Sequence, residues 1–169
     1  MTTQQLSRRA FSVRLAGLVP ALAFVRPRLG ALTQGDGISR TAEAIHQDVV
    51  FAASRERVYE ALLDEKRFGK MTGQPTTIDR APGGALSLFG ARIKARNIEL
   101  VPNQRIVQAW RSEGWDPGVY SLVRFELLAQ GTGTKIAFDH TGFPVGQAEH
   151  LAAGWKTNYW DPMTKYLAG

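Results

Sequence analysis

The chain has 169 residues, 44% hydrophobic and 21% charged, which excludes a disordered or collagen-like polymer and suits one domain of about 130 residues with an arm. Cysteine is absent, excluding a disulfide scaffold, thiolate zinc or iron–sulfur ligation and a cysteine nucleophile. The net charge of +6 belongs to Arg8, Arg9, Arg14, Arg26 and Arg28 in a stretch without acids, leaving 16 basic against 15 acidic residues in the rest. A nucleic-acid binder needs a basic stripe on its folded face. The nearest approach, Arg92, Lys94 and Arg96, reads as the solvated face of a strand, so no nucleic-acid partner is expected. His46, His140 and His150 share no ligand spacing, so neither a metal nor a cofactor is expected. No apolar run reaches the ~20 residues of a membrane-spanning helix.

In chain order, Ser7-Arg8-Arg9-Ala10-Phe11 precedes a weakly apolar stretch, Leu15 to Val25, diluted by Gly17 and Pro20 and followed by Arg26-Pro27-Arg28. This arm resembles a twin-arginine signal peptide over residues 1–31, with cleavage after Ala23 or after Ala31. The resemblance implies recognition of Arg8 and Arg9 by the twin-arginine export machinery and a place in the periplasm or cell envelope. Residues 32–43, polar and glycine-containing, read as a linker, and residues 44–169 as the folded domain.

Within it, Ile45 to Phe51 alternates as a strand with Ile45, Gln47, Val49 and Phe51 on one face. Ser54 is a helix N-cap ahead of Val58, Ala61 and Leu62, and a second short helix, Glu65 to Met71, stops at Gly73 and Pro75. Short β segments then follow with turns between them: Thr76–Arg80, Ala85–Phe89, Ala91–Val101, Arg105–Arg111, Tyr120–Leu128 and Thr134–His140. No helix alternates with them, so an antiparallel meander is expected rather than a parallel sheet. Gly131-Thr132-Gly133 lies between strands and reads as a hairpin turn, not a phosphate loop. From Val145 to Leu167 apolar residues recur in steps of three and four, predicting one long closing helix, kinked near its last two turns by Pro162.

The Ala53-Ser54-x-x-x-Val58-Tyr59-x-Ala61-Leu62 helix start, Gly133-Thr134-Lys135-Ile136 before His140-Thr141-Gly142-Phe143, and the closing Gly154-Trp155, Tyr159-Trp160 and Tyr166-Leu167 together resemble one family. It is the activator-of-heat-shock-ATPase-like branch of the START/Bet v 1-like (SRPBCC) superfamily, over roughly Ala44 to Gly169. The resemblance implies an α+β helix-grip fold: a curved antiparallel sheet of six to seven strands wrapped around a long C-terminal helix. It also implies a cavity between them for hydrophobic or amphipathic molecules. The branch carries no catalytic signature, so no catalytic residue is transferred. Two features depart from the pattern: the export-type arm, and Asp161-Pro162 inside the last helix.

Strand parity selects cavity-facing candidates. Val123, Phe125 and Leu127 turn inward opposite Arg124 and Glu126, and Thr134, Ile136, Phe138 and His140 opposite Lys135 and Asp139. Ala91, Ile93 and Ala95 oppose Arg92, Lys94 and Arg96, and the change of side beyond Asn97 implies either a bulge or a polar group lining the pocket. His140 could orient a ligand's polar head, serve as an acid–base group, or simply bond a backbone carbonyl. Trp110, Trp155 and Tyr159 combine apolar area with a polar edge, as does Tyr120. Trp115, in the polar loop 112–118, is either a lid or an inward-tucked anchor.

The leading reading is therefore a monomeric, exported domain binding a small hydrophobic molecule in an internal cavity, without catalysis. Its ligand-facing residues would be Asn97, Trp110, Trp115, Tyr120, Phe125, Phe138, His140, Trp155 and Tyr159. The alternatives are a cyclase- or dehydratase-like enzyme using His140, and an envelope interaction module using the outer sheet face.

Overall fold

The computed structural model describes residues 43–169; the signal-peptide expectation at 1–31 and the linker expectation, except Glu43, fall outside the described residues. β1 (Glu43–Phe51) alternates as expected, with Ile45 and Phe51 buried. Ser54 caps α1 (Arg55–Leu63), its hydroxyl accepting from the Arg57 amide. Asp64 then ends α1 and caps α2 (Glu65–Thr72), accepting from the Arg67 amide at 2.9 Å. Gly73, at φ 67°, closes α2 in the left-handed conformation that a side chain would oppose.

The meander comprises β2 (Thr77–Ile78), β3 (Ala85–Leu88), β4 (Ile93–Val101), β5 (Arg105–Ser112), β6 (Ser121–Gln130) and β7 (Gly133–Phe143). With β1 they form a seven-stranded antiparallel sheet in the order β1-β7-β6-β5-β4-β3-β2. The expected strand over 76–80 shrinks to two residues, because the chain turns where the Asp79 carboxylate accepts from the Ala81 amide at 3.0 Å. The strand expected from Ala91 begins only at Ile93, since Phe89, Gly90 and Ala91 all have positive φ. A bulge lies between Asn97 and Glu99. It explains the change of parity there: Asn97 is 1% exposed while Ile98 beyond it is 53% exposed.

The closing helix runs against the inner face of the curved sheet and is not continuous. α3 (Ala148–Trp155) passes into a π-helical turn (Lys156–Trp160) and then α4 (Asp161–Ala168). Proline supplies no amide hydrogen and crowds the preceding turn. The wider turn, with the Asp161 amide donating to the Lys156 carbonyl, places Pro162 in the first turn of α4, where no donor is needed. The expected kink is thus realised one turn earlier, as a π-bulge. That extra residue brings Trp155 and Trp160 nearly parallel, 5.8 Å apart at 22°, both facing the sheet.

Two polar devices fix this helix to β1. The Glu43 carboxylate accepts from the Gly146 and Ala148 amides at the start of α3. Gln47 donates to the Ala152 carbonyl and accepts from the Trp160 indole at 2.7 Å. The sheet's outer face carries ion pairs, Arg124 to Asp139 at 2.6 Å and Lys135 to Asp48 at 3.1 Å. Being exposed, each is worth less than about 1 kcal/mol.

Candidate functional site

Between sheet and closing helix the space is occupied by rings. Trp155 is the hub, its centroid 4.4 Å from Phe138, 4.3 Å from Tyr159 and 5.4 Å from Trp110. Phe125 backs Phe138 at 5.2 Å, and Phe68 and Phe89 meet Tyr159 edge-on at 5.6 and 5.4 Å. What stays open is a cleft of about 330 Å³ at one end, where the β4–β5 end of the sheet faces α3. Ile93, Trp110, Leu151, Trp155 and Tyr159 line it on the apolar side, and Arg92, Glu113, His150 and Asn158 supply polar groups. Gly154 supplies no side chain on the helix side: a Cβ placed there meets only the Asn158 Nδ2, at 3.8 Å.

Beneath the floor lies a closed polar chain. The Trp155 indole donates to His140 Nδ1 at 3.0 Å. An indole can only donate, so Nδ1 is unprotonated and the ring hydrogen is on Nε2. Nε2 donates to Ser121 Oγ at 2.7 Å, and Ser121 donates to the Trp110 carbonyl at 3.0 Å. Burial lowers the His140 pKa from 6.5 to about 4, because a charged ring there would lose its hydration. With both nitrogens engaged and no exposure, His140 organises the core and has no free group for acid–base work on a ligand.

This arrangement predicts a pH effect. The unfolded chain takes up a proton at His140 near pH 6.5 and the folded chain only near 4, so acidification between those values favours unfolding. Complete passage through that window should cost about 3 kcal/mol from this residue. Denaturant titrations from pH 7 to 4 should show the loss, and His140→Gln should flatten it. An equal loss in the variant would assign the effect elsewhere.

Of the candidates, Trp110, Trp155 and Tyr159 meet at the cleft. Phe125 and Phe138 lie behind them in the ring stack. Trp115 is 9% exposed and edge-on to Trp110 at 6.0 Å, so it is the inward anchor rather than a lid. Asn97 is not at the cleft: its Nδ2 donates to the Asp79 carbonyl at 2.8 Å and its Oδ1 accepts from Gln108 at 3.0 Å, tying the bulge to the 79–84 turn. Tyr120 is 52% exposed and borders a separate open pocket of about 610 Å³ with Lys94 and Arg96, so it cannot orient a ligand in the cleft. The Trp110 Nε1 is buried without a hydrogen-bond partner. It lies near the Tyr159 hydroxyl, whose pKa burial drives upward and the indole partly offsets.

Sequence reasoning missed Arg92, Glu113, His150, Gly154 and Asn158. The sequence places Arg92 with Lys94 and Arg96 on one strand face, but Arg92 precedes β4 and stands at the mouth of the cleft. Gly154 did carry a signal, a glycine inside an otherwise apolar helical stripe.

A family profile described as activator of Hsp90 ATPase homolog 1-like protein matches residues 52–168. The chain belongs to that family. Like other activator-homolog-like domains, it is a Bet v 1-like (SRPBCC) branch member, and its curved seven-stranded sheet with a C-terminal helix is the helix-grip fold. It is 31% identical over 112 residues to the activator of 90 kDa heat shock protein ATPase homolog of Dictyostelium discoideum, covering 66% of this chain and 29% of that one. To homolog 2 of Mus musculus it is 23% identical over 131 residues, covering 78% and 40%. The chain thus spans well under half the length of these relatives. Among solved structures, an HSP90 activator from Plasmodium falciparum superposes with a TM-score of 0.70 at 22% identity, covering 74% of this chain and 96% of that one. The Aha1 dimer from Colwellia psychrerythraea gives 0.63 at 18% identity, covering 74% and 96%. At these identities the structural matches speak to the fold.

Proposed function

We propose that this domain binds a small hydrophobic or amphipathic molecule in the lateral cleft, without covalent chemistry and as a monomer. The observation carrying this reading is the 330 Å³ cleft floored by Trp110, Trp155 and Tyr159, which stays open while the remaining space between sheet and helix is packed with rings. That volume is at the small end of the range for ligand sites, roughly 300–1,000 Å³, so it fits a compact ring system better than a sterol. Apolar burial at about 25 cal/mol per Å² would supply the affinity. A deep internal cavity is not part of this reading, because aromatic side chains occupy that space. The test is native mass spectrometry of the purified domain, with extraction and analysis of whatever dissociates. A compact adduct, or uptake of added N-phenylnaphthylamine, is expected; absence of both would overturn the proposal.

A second reading rests on family membership: the domain acts as one module in stimulating a chaperone ATPase, as the names of its relatives state for them. Stimulation of a purified Hsp90-type ATPase by the domain would support it. The arm adds a proposal of location. The Arg8-Arg9 pair and the modest apolar stretch after it support export to the cell envelope, and replacing both arginines by lysine should then hold the protein in the cytoplasm in a fractionation experiment.

A further inference from the structure

The cleft has one rim group whose placement demands explanation. Phe89, Gly90 and Ala91 follow one another at φ 55°, 66° and 69°, a left-handed run that two residues with side chains enter only at a cost of about 1 kcal/mol or more each. The Gly90 amide anchors this turn on the Pro75 carbonyl at 2.9 Å. The turn sends Phe89 inward, where it meets Phe68 and Tyr159, and leaves the next residue, Arg92, at the mouth of the cleft. The Arg92 Nε donates back to the Phe89 carbonyl at 3.2 Å. One edge of the guanidinium is thus held by the strained turn itself, and among the described residues no hydrogen bond engages its two terminal nitrogens. Among the described residues Arg92 enters no ion pair, whereas Arg80, Arg105 and Arg124 each do.

We propose that the ligand of the cleft carries an anionic group, a carboxylate, sulfonate or phosphate, which seats on the Arg92 guanidinium while its apolar body lies on Trp110, Trp155 and Tyr159. This rests on the cleft being the binding site. A planar fork already oriented on one side loses little freedom when it grips an oxyanion, and it can do so with two parallel hydrogen bonds. Glu113 stands on the same rim and opposes such a ligand. Its amide donates to the Arg92 carbonyl at 2.7 Å, yet its carboxylate makes no ion pair among the described residues. Among the described residues no hydrogen bond holds that side chain, so Arg92 attracts the anion and Glu113 limits the gain. The two charges therefore have opposite expected effects on one affinity, which a merely structural role for either would not produce.

The experiment compares two probes with the same ring system, anilinonaphthalene sulfonate and uncharged N-phenylnaphthylamine, by fluorescence titration of the full domain. The sulfonate should bind roughly tenfold more tightly, the usual scale of one charge-assisted contact at a partly exposed site, and the advantage should shrink as salt rises. Arg92→Gln should erase the advantage, weakening the sulfonate about tenfold and the neutral probe far less, and Glu113→Gln should widen it several-fold. Equal affinity of the two probes for the wild-type domain, or an advantage that survives Arg92→Gln, would overturn the anionic assignment with the cleft reading intact. If neither probe binds, the cleft reading itself fails and this inference with it.

Discussion

Replacing Trp155 by alanine is expected to produce the largest loss of stability of any single change in this domain. Its ring is 2% exposed and stands within 6 Å of the centroids of Trp110, Phe125, Phe138, His140, Tyr159 and Trp160. Truncating a buried tryptophan costs about 3–5 kcal/mol in lost transfer energy and cavity. The change also strips the donor from His140 Nδ1, adding roughly 1–3 kcal/mol for a buried acceptor left unpaired. Against a total of about 5–15 kcal/mol for a domain, the variant should unfold at much lower urea concentration or fail to fold at all. Trp155→Phe keeps most of the ring area and loses the hydrogen bond, so it should fall between the two. A wild-type midpoint for Trp155→Ala would mean that the ring hub does not hold helix and sheet together.

The second large effect is on binding, with stability preserved. Gly154 lies in α3 on the wall of the cleft and meets nothing closer than the Asn158 Nδ2, at 3.8 Å from a hypothetical Cβ. Gly154→Phe should therefore send a ring into the open volume without colliding with backbone. Glycine inside a helix is about 1 kcal/mol worse than alanine, so the thermal midpoint should hold or rise. Affinity for N-phenylnaphthylamine should fall at least about tenfold, equivalent to 1.4 kcal/mol. Unaltered binding in a folded Gly154→Phe variant would remove the cleft from consideration. Trp155 and Gly154 are neighbours in sequence, yet one change should take stability and the other binding.

Much of the architecture was legible because alternation reports which way a strand side chain points. Val123, Phe125 and Leu127, and Ile136, Phe138 and His140, are buried as their charged neighbours required. The same alternation carried the Asn97 irregularity, and the bulge accounts for it. Parity says nothing about volume, however. Phe125, Phe138 and Trp155 point inward, and whether they line a hollow or fill it depends on how far each ring reaches across the gap. Here they meet one another at 4.4 to 5.9 Å, so the hollow closes and the open space moves to the margin. Arg92 escapes the alternation because β4 starts only at Ile93, after Ala91, whose positive φ no local composition announces. Pro162 gave a clear warning of a break in the helix. Its form, a π turn at Lys156–Trp160, depends on where the sheet needs Trp155 and Trp160. Tyr120 has the ring and hydroxyl of a ligand contact, but it shares the outward parity of Leu122 and Arg124 and is half-exposed.

The most direct test of the account is a backbone and indole amide NMR titration of the isotopically labelled domain with N-phenylnaphthylamine. Shifts should concentrate at Ile93, Leu151, Gly154 and Asn158 and at the Trp110 indole. The Trp155 indole, held by His140 beneath the floor, should move little. Shifts gathered instead around Lys94, Arg96 and Tyr120 in the separate open pocket, or no shifts at saturating probe, would contradict it.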